Sequence, residues 1–193
     1  MSDYRKRCIA YHEAGHALVA VHEGFSSCGI TVRMNMSGHA STSNRLPGAS
    51  TLRYVSSRLR VLLAGAVAEC IKCDSGNERC LLRCFAENGS ANDDWRKAEE
   101  IARVLAHEAT NGTATDDVAM KNAMDSVVSE HLEQVQAILD ANWTSLDKLA
   151  LDALARFDEL FRQDPDDLDS VSELDVTAAE VEQALVGLHQ LQL

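Results

Sequence analysis

The sequence predicts a mainly α protein with a small β-hairpin or sheet, an α+β class, and three observations carry that reading. Apolar residues recur at spacings of three and four over most of the chain, the period of helices buried on one face. Only two prolines and ten glycines interrupt its 193 residues, so breakers are scarce. One stretch, ITVRMNM at 30–36, alternates instead, as a half-buried strand does. With 46% hydrophobic residues the chain can bury a real core. We expect one domain over 1–193, with an N-terminal half at 1–110 and a helical half at 111–193.

Taken in order, Ser2 or Asp3 caps a first helix that runs to Gly24, a natural residue just past a helix end. Ile30, Val32, Met34 and Met36 form the apolar side of a strand, and Ser37-Gly38 turns it into a second strand over 39–43. Residues 44–50, with Pro47-Gly48, read as a loop. Leu52, Val55, Leu59, Leu62, Leu63, Ala66, Val67 and Cys70 mark the next helix, and 72–90 form a cysteine-bearing connection with a short helix around Leu81. A helix over 92–109 stops before Asn111-Gly112, and 116–161 read as two helices meeting near Asn142-Trp143. Residues 164–169 are a solvated acidic linker, after which Thr177-Ala-Ala-Glu180 is a capping box opening a last helix to about Gln190.

The formal net charge is −12 with no basic block, a field that repels phosphate backbones and anionic lipid heads. Nucleic acid and membrane surfaces are therefore excluded as expected partners. The start, MSDYRKRCIAYHEAGH, has no apolar run long enough for a signal peptide or a membrane span, so a cytoplasmic location is expected. The six cysteines, at 8, 28, 70, 73, 80 and 84, are then expected as thiols. Cys70, Cys73, Cys80 and Cys84 form a C-x2-C…C-x3-C cluster, either a second, structural zinc site or a group of buried thiols acting as small hydrophobes.

Residues 11–17 read YHEAGHA. On a helix His12 and His16 stack one turn apart, where two neutral imidazoles can meet one metal ion. Glu13 lies roughly 100° further round, at the edge of that face, where a carboxylate can take a proton from water at the metal. The bland alternative is a surface histidine pair. A catalytic zinc needs a third protein ligand, and Asp93, Asp94, Glu99, Glu100, His107 and Glu108 lie on or beside one downstream helix. The apolar stripe of that helix is Ala98, Ile101, Ala102 and Leu105, and four residues back from Ala98 is Asp94. A carboxylate on a core-facing stripe is costly unless a cation satisfies it, although Asp94 could also cap the helix. Asp93 lines up with Lys97 and Glu100 on the wet face and suits the helix macrodipole. Gly15 fits tight helix packing, or the close passage of another backbone or a substrate.

AYHEAGHALVA at 10–20, LLAGAVAE at 62–69 and ANDDWRKAEEIAR at 91–103 together resemble the peptidase domain of the FtsH-type membrane-bound AAA metalloproteases, and the segments at 138–154 and 172–185 are similar to its closing helices. The resemblance implies a zincin-like helical peptidase domain, with 1–110 as its zinc-site half. It also implies Zn2+ on His12, His16 and Asp94, with Glu13 as general base in peptide-bond hydrolysis. Matching the family's Asn-Asp pair on Asn92-Asp93 would instead put the third ligand at Asp93; matching the helix without a gap puts it at Asp94. In the family an edge strand pairs with extended substrate, and here that strand would lie within 29–43.

No G-x-x-x-x-G-K-[ST] occurs, and there is no room for an ATPase domain or a membrane helix. The expected activity is that of a zinc metalloendopeptidase on flexible or unfolded protein or peptide, as a stand-alone or excised domain, a homo-oligomer or a chain served by a separate unfoldase. The competing expectation is a zinc-binding but proteolytically idle homologue that acts as an interaction module, against which the intact Glu13 speaks.

Overall fold

The computed structural model describes residues 3–33, 35, 37–43, 45–73, 78–163 and 173–188. Ser2, Met34, Met36, Asn44, the acidic linker at 164–169 and Gln190 lie outside the described residues. In chain order come α1 (Asp3–Glu23), β1 (Ser27–Arg33), β2 (Ser37–Thr42), α2 (Thr51–Cys73), α3 (Glu78–Phe85), α4 (Asn92–Ala109), α5 (Asp117–Ala141), α6 (Trp143–Gln163), β3 (Glu173–Val176) and α7 (Ala178–Ala184). The class is mainly α with one small antiparallel sheet, in the order β2-β1-β3. No described helix is long and apolar enough to cross a membrane.

Helix α1 is the centre of the molecule. Residues 10–20 are all buried, because α2, α6 and the β1/β2 hairpin cover it on different sides. A helix enclosed this way needs small or apolar side chains nearly all round, and Ala10, Ala14, Ala17, Leu18, Val19 and Ala20 provide them. Leu18 and Val19 each contribute about 1.5–3 kcal/mol by leaving water. A Cβ on Gly15 would stand 2.6 Å from the Ala64 carbonyl oxygen and 2.7 Å from the Ala68 Cβ. Of the readings open for that glycine, the close passage of a neighbouring helix is the one seen.

The end of α1 is tied to α2 through buried charge. Arg60 donates from Nε to Glu23 Oε1 at 2.5 Å and from Nη2 to Oε2 at 2.8 Å, and Ser57 Oγ donates to the same carboxylate. Burial would raise the Glu23 pKa, but Arg60 and Ser57 hold it below its ordinary value.

Several elements differ from expectation for identifiable reasons. Arg33 pairs with Ser37, so Ser37 and Gly38 belong to β2 rather than to a turn before it. Gly38 is small because β2 crosses α1 there: a Cβ would stand 2.7 Å from Glu13 Cγ and 2.9 Å from Ile9 Cγ2. Strand β3 was not anticipated. It pairs Leu174 with Val32 and Val176 with Ile30, but four residues merging into a capping box carry too little alternation to stand out. The box forms as expected, yet α7 ends at Ala184, and the chain turns through Gly187 at φ 84°. Helix α2 runs to Cys73, past the expected start of the connection.

The cysteines also depart from expectation. Cys70 and Cys80 are joined in a disulfide, because α3 folds back on the last turn of α2 and brings their Cα atoms to 5.6 Å. Cys84 lies beside them, while Cys73 hydrogen-bonds with Cys8 instead. The expected group of four is thus a group of three and a separate pair.

Candidate metal centre

His12, Glu13 and His16 are all buried, at 6%, 8% and 8% exposure. Polar groups at such depth are stable only with partners, and each has one. His16 donates from Nδ1 to the Val61 carbonyl at 2.6 Å. A carbonyl can only accept, so the proton sits on Nδ1 and the Nε2 lone pair is free. His12 donates from Nδ1 to Glu69 Oε2 at 3.2 Å, which turns its Nε2 the same way. Glu13 Oε2 accepts from the Ala40 amide of β2 at 2.7 Å.

The two Nε2 atoms stand 3.1 Å apart, and Asp94 Oδ2 lies 3.4 Å from His12 Nε2 and 3.2 Å from His16 Nε2. Ligand atoms about 2.0–2.1 Å from a tetrahedral ion stand about 3.3 Å from one another, so the three atoms already have the spacing of one face of such a shell. Asp94 reaches them from the first turn of α4, whose stripe of Ala98, Ala102 and Leu105 is buried as expected. It does not cap the helix, because the N-cap is Ala91 and no side chain bonds there. Asp93 lines the same cleft but is not among the three converging donors.

Two further residues build the site. Glu69, itself only 9% exposed, orients His12 and takes a second hydrogen bond from Ser90 Oγ at 2.8 Å. Its signal was legible by the rule applied to Asp94, since LLAGAVAE places one carboxylate at the end of an otherwise apolar run. Gly65 leaves the imidazoles room: a Cβ there would stand 2.5 Å from His16 Nε2 and 2.6 Å from His12 Nε2. Its steric role had no sequence signal, because it depends on which turn of α2 faces α1.

The electrostatics ask for a cation. Burial would lower the His12 pKa, but Asp94, Glu69 and the field of Glu13 push it up to about 10. Burial would likewise raise Asp94, while His12 and His16 hold it far below the ordinary carboxylate range. Without a metal the cluster therefore keeps a proton on His12; a divalent ion in its place supplies one more positive charge with better directed bonds. Nitrogen and carboxylate donors in threes suit zinc, and the residues fit it.

Two clefts meet over these groups. One, of about 430 Å³, is lined by His16, Asp94, Arg58, Lys97 and Thr42; the other, of about 500 Å³, by Tyr4, Cys8, Ile9, Glu69 and Ser90. They share His12, Glu13, Gly38 and Ser90, so a groove runs along β2 past the Glu13 carboxylate. Strand β2 is the outer strand of the sheet and has no strand partner on its far side among the described residues. No protein-family model matches this chain, and no curated protein matches it.

Proposed function

We propose that the chain is a zinc-dependent endopeptidase acting on extended protein or peptide segments. The observation that carries this reading is the convergence of His12 Nε2, His16 Nε2 and Asp94 Oδ2 at coordination spacing, with a buried Glu13 carboxylate beside them at an open strand edge. Zinc, when bound, supplies an electrophile for the peptide carbonyl and makes water more acidic. Glu13 takes the proton from the attacking water and passes it to the leaving amine. Its bond to the Ala40 amide fixes the carboxylate at the substrate strand. The outer edge of β2 can pair with an extended backbone and lay it across the groove, and a folded substrate has no such free strand to offer. Asp94 rather than Asp93 is the third ligand in this reading.

The test combines metal content and hydrolysis. Wild-type chain should carry zinc at the histidine site and cut an unfolded protein such as reduced casein. Glu13→Gln should keep the zinc and lose about a hundred- to ten-thousand-fold in rate, and Asp94→Ala should lose the zinc. A wild type that binds zinc but cuts nothing would make the chain an interaction module. One that binds no zinc at these histidines would end both readings.

A further inference from the structure

Beyond Glu69 lies a second cluster of ligand atoms that the peptidase reading does not use. Cys70 comes from the last turns of α2, and Cys80 and Cys84 stand one turn apart on α3; their exposures are 3%, 4% and 4%. Cys84 Sγ lies 3.7 Å from Cys70 Sγ and 4.0 Å from Cys80 Sγ. Together with Ala66 and Ala91 they form a small core separate from the main one.

Two uses compete for three sulfurs so placed. One is thiol–disulfide exchange, in which the Cys84 thiolate attacks Cys70 or Cys80 and releases the other as a thiolate. Burial pushes the Cys84 thiol up despite a hydrogen bond with Ser90 and the field of Arg83, so the nucleophile is scarce at neutral pH. The other use is metal coordination, and the distances suit it. Sulfurs about 2.3 Å from a tetrahedral zinc stand about 3.8 Å apart, close to both spacings of Cys84. Such soft donors favour zinc over calcium or magnesium.

We propose that the reduced forms of Cys70, Cys80 and Cys84 make a thiolate site for a soft divalent cation, Zn2+ foremost, which staples α3 to α2. Reduction by a dithiol breaks the Cys70–Cys80 bond, gives two thiols and oxidises the dithiol to its own disulfide. Three thiols then lose three protons to solvent as three sulfur–metal bonds form. The net charge of minus one left on the cluster feels the Glu69 carboxylate, which opposes it, and the Arg83 guanidinium, which partly offsets it. Helix α3 has eight residues, too few to hold by itself, so the cation replaces the crosslink that the disulfide provides under oxidising conditions. The site stands apart from the histidine centre and does not depend on the peptidase reading.

The experiment uses the full chain carrying His12→Ala and His16→Ala, which removes the first centre, titrated with Co2+ with and without reductant. The expected result is one cobalt per reduced chain, with thiolate-to-cobalt charge-transfer absorption that zinc displaces and that Cys84→Ser abolishes. No cobalt binding by a chain whose cysteine thiols all react after denaturation would overturn the proposal, as would metal binding that survives Cys84→Ser. Should the histidine substitutions impair folding, zinc per reduced wild-type chain must fall by one in Cys84→Ser, whether or not the histidine centre is loaded. An unchanged count also overturns it.

Discussion

His12, His16 and Asp94 stand on long helices of the main core, whereas Cys70, Cys80 and Cys84 stand where an eight-residue helix meets the end of α2 in a small core of its own. Each imidazole has its second nitrogen tied to the protein, His12 to Glu69 and His16 to the Val61 carbonyl, so the nitrogen donors are aimed before any cation arrives. The sulfurs have little outside support beyond the Ser90 bond to Cys84, and are held chiefly by one another. The histidine centre is thus preorganised by its surroundings, while the cysteine cluster organises its surroundings. Substitutions that leave every ligand residue in place should therefore disable the first and spare the second.

The largest such effect is expected from Gly65→Ala. The added methyl would stand 2.5 Å and 2.6 Å from the two Nε2 atoms, closer than any real contact allows, and α2 cannot retreat because Gly15 already seats Ala64 and Ala68 against α1. Zinc binding at the histidines and hydrolysis should both vanish while helical circular dichroism persists. Retention of full zinc would show that the imidazoles can swing aside and that the preorganisation is weak. Next is Glu69→Gln, which keeps the shape but weakens the orienting bond to His12. Loss of such a partner typically costs about 10- to 100-fold in metal affinity, measurable by competition with a chelator. The reduced cysteine cluster should change far less, because Glu69 acts on it only through its field on Cys84 and its bond to Ser90.

The two clusters also differed in how legible they were. HEAGH announced itself by spacing, and the register of 92–109 singled out Asp94, because both arguments need only one helix at a time. The long helices and their breaks at Gly24, Asn111-Gly112 and Asn142 followed from the same local logic. What escaped depends on contacts between elements. Gly38 read as a turn residue because its neighbour, Glu13, is 25 residues away in sequence; β3 needed β1 to exist; and the split of the cysteines into a trio and a pair depends on where α3 folds back. Glu69 is the instructive case, since the cost of a buried carboxylate would have marked it, but its partner was not visible from its own helix.

Proton competition gives a smaller and graded effect. Burial would lower the His12 pKa, but Asp94, Glu69 and Glu13 push it up to about 10, so at neutral pH the metal-free centre must shed a proton to take a cation. Its apparent zinc affinity should rise about tenfold per pH unit between about pH 7 and about pH 9. The stability of the metal-free chain should move the other way. A raised folded pKa contributes stability that is full below the ordinary value of 6.5 and is lost as pH climbs through about 10. Urea titrations should show the metal-free chain weakening toward about pH 10 and the zinc-loaded chain not following that loss. A pH-independent affinity would mean that His12 is neutral and that the carboxylates around it are not felt.

The smallest effect tests whether the two clusters are as independent as their positions suggest. Ser90 bridges the two sides, donating to Glu69 Oε2 at 2.8 Å and hydrogen-bonded with Cys84. If the cysteine cluster positions Ser90 and Ser90 steadies Glu69, reduction or metal loading at the sulfurs reaches His12 through three hydrogen bonds, Cys84–Ser90, Ser90–Glu69 and Glu69–His12. A hydrogen bond of this kind is worth about 0.5–1.5 kcal/mol net. Ser90→Ala should therefore weaken zinc at the histidines by about 2- to 10-fold, far less than Glu69→Gln removes at its upper end, because His12 still holds the Glu69 carboxylate directly. The same variant should also erase any difference in histidine-site affinity between the oxidised and reduced chain. If that difference survives without the hydroxyl, the link runs through the backbone of α2, where Cys70 follows Glu69 directly, and the clusters are joined by covalent geometry rather than by Ser90.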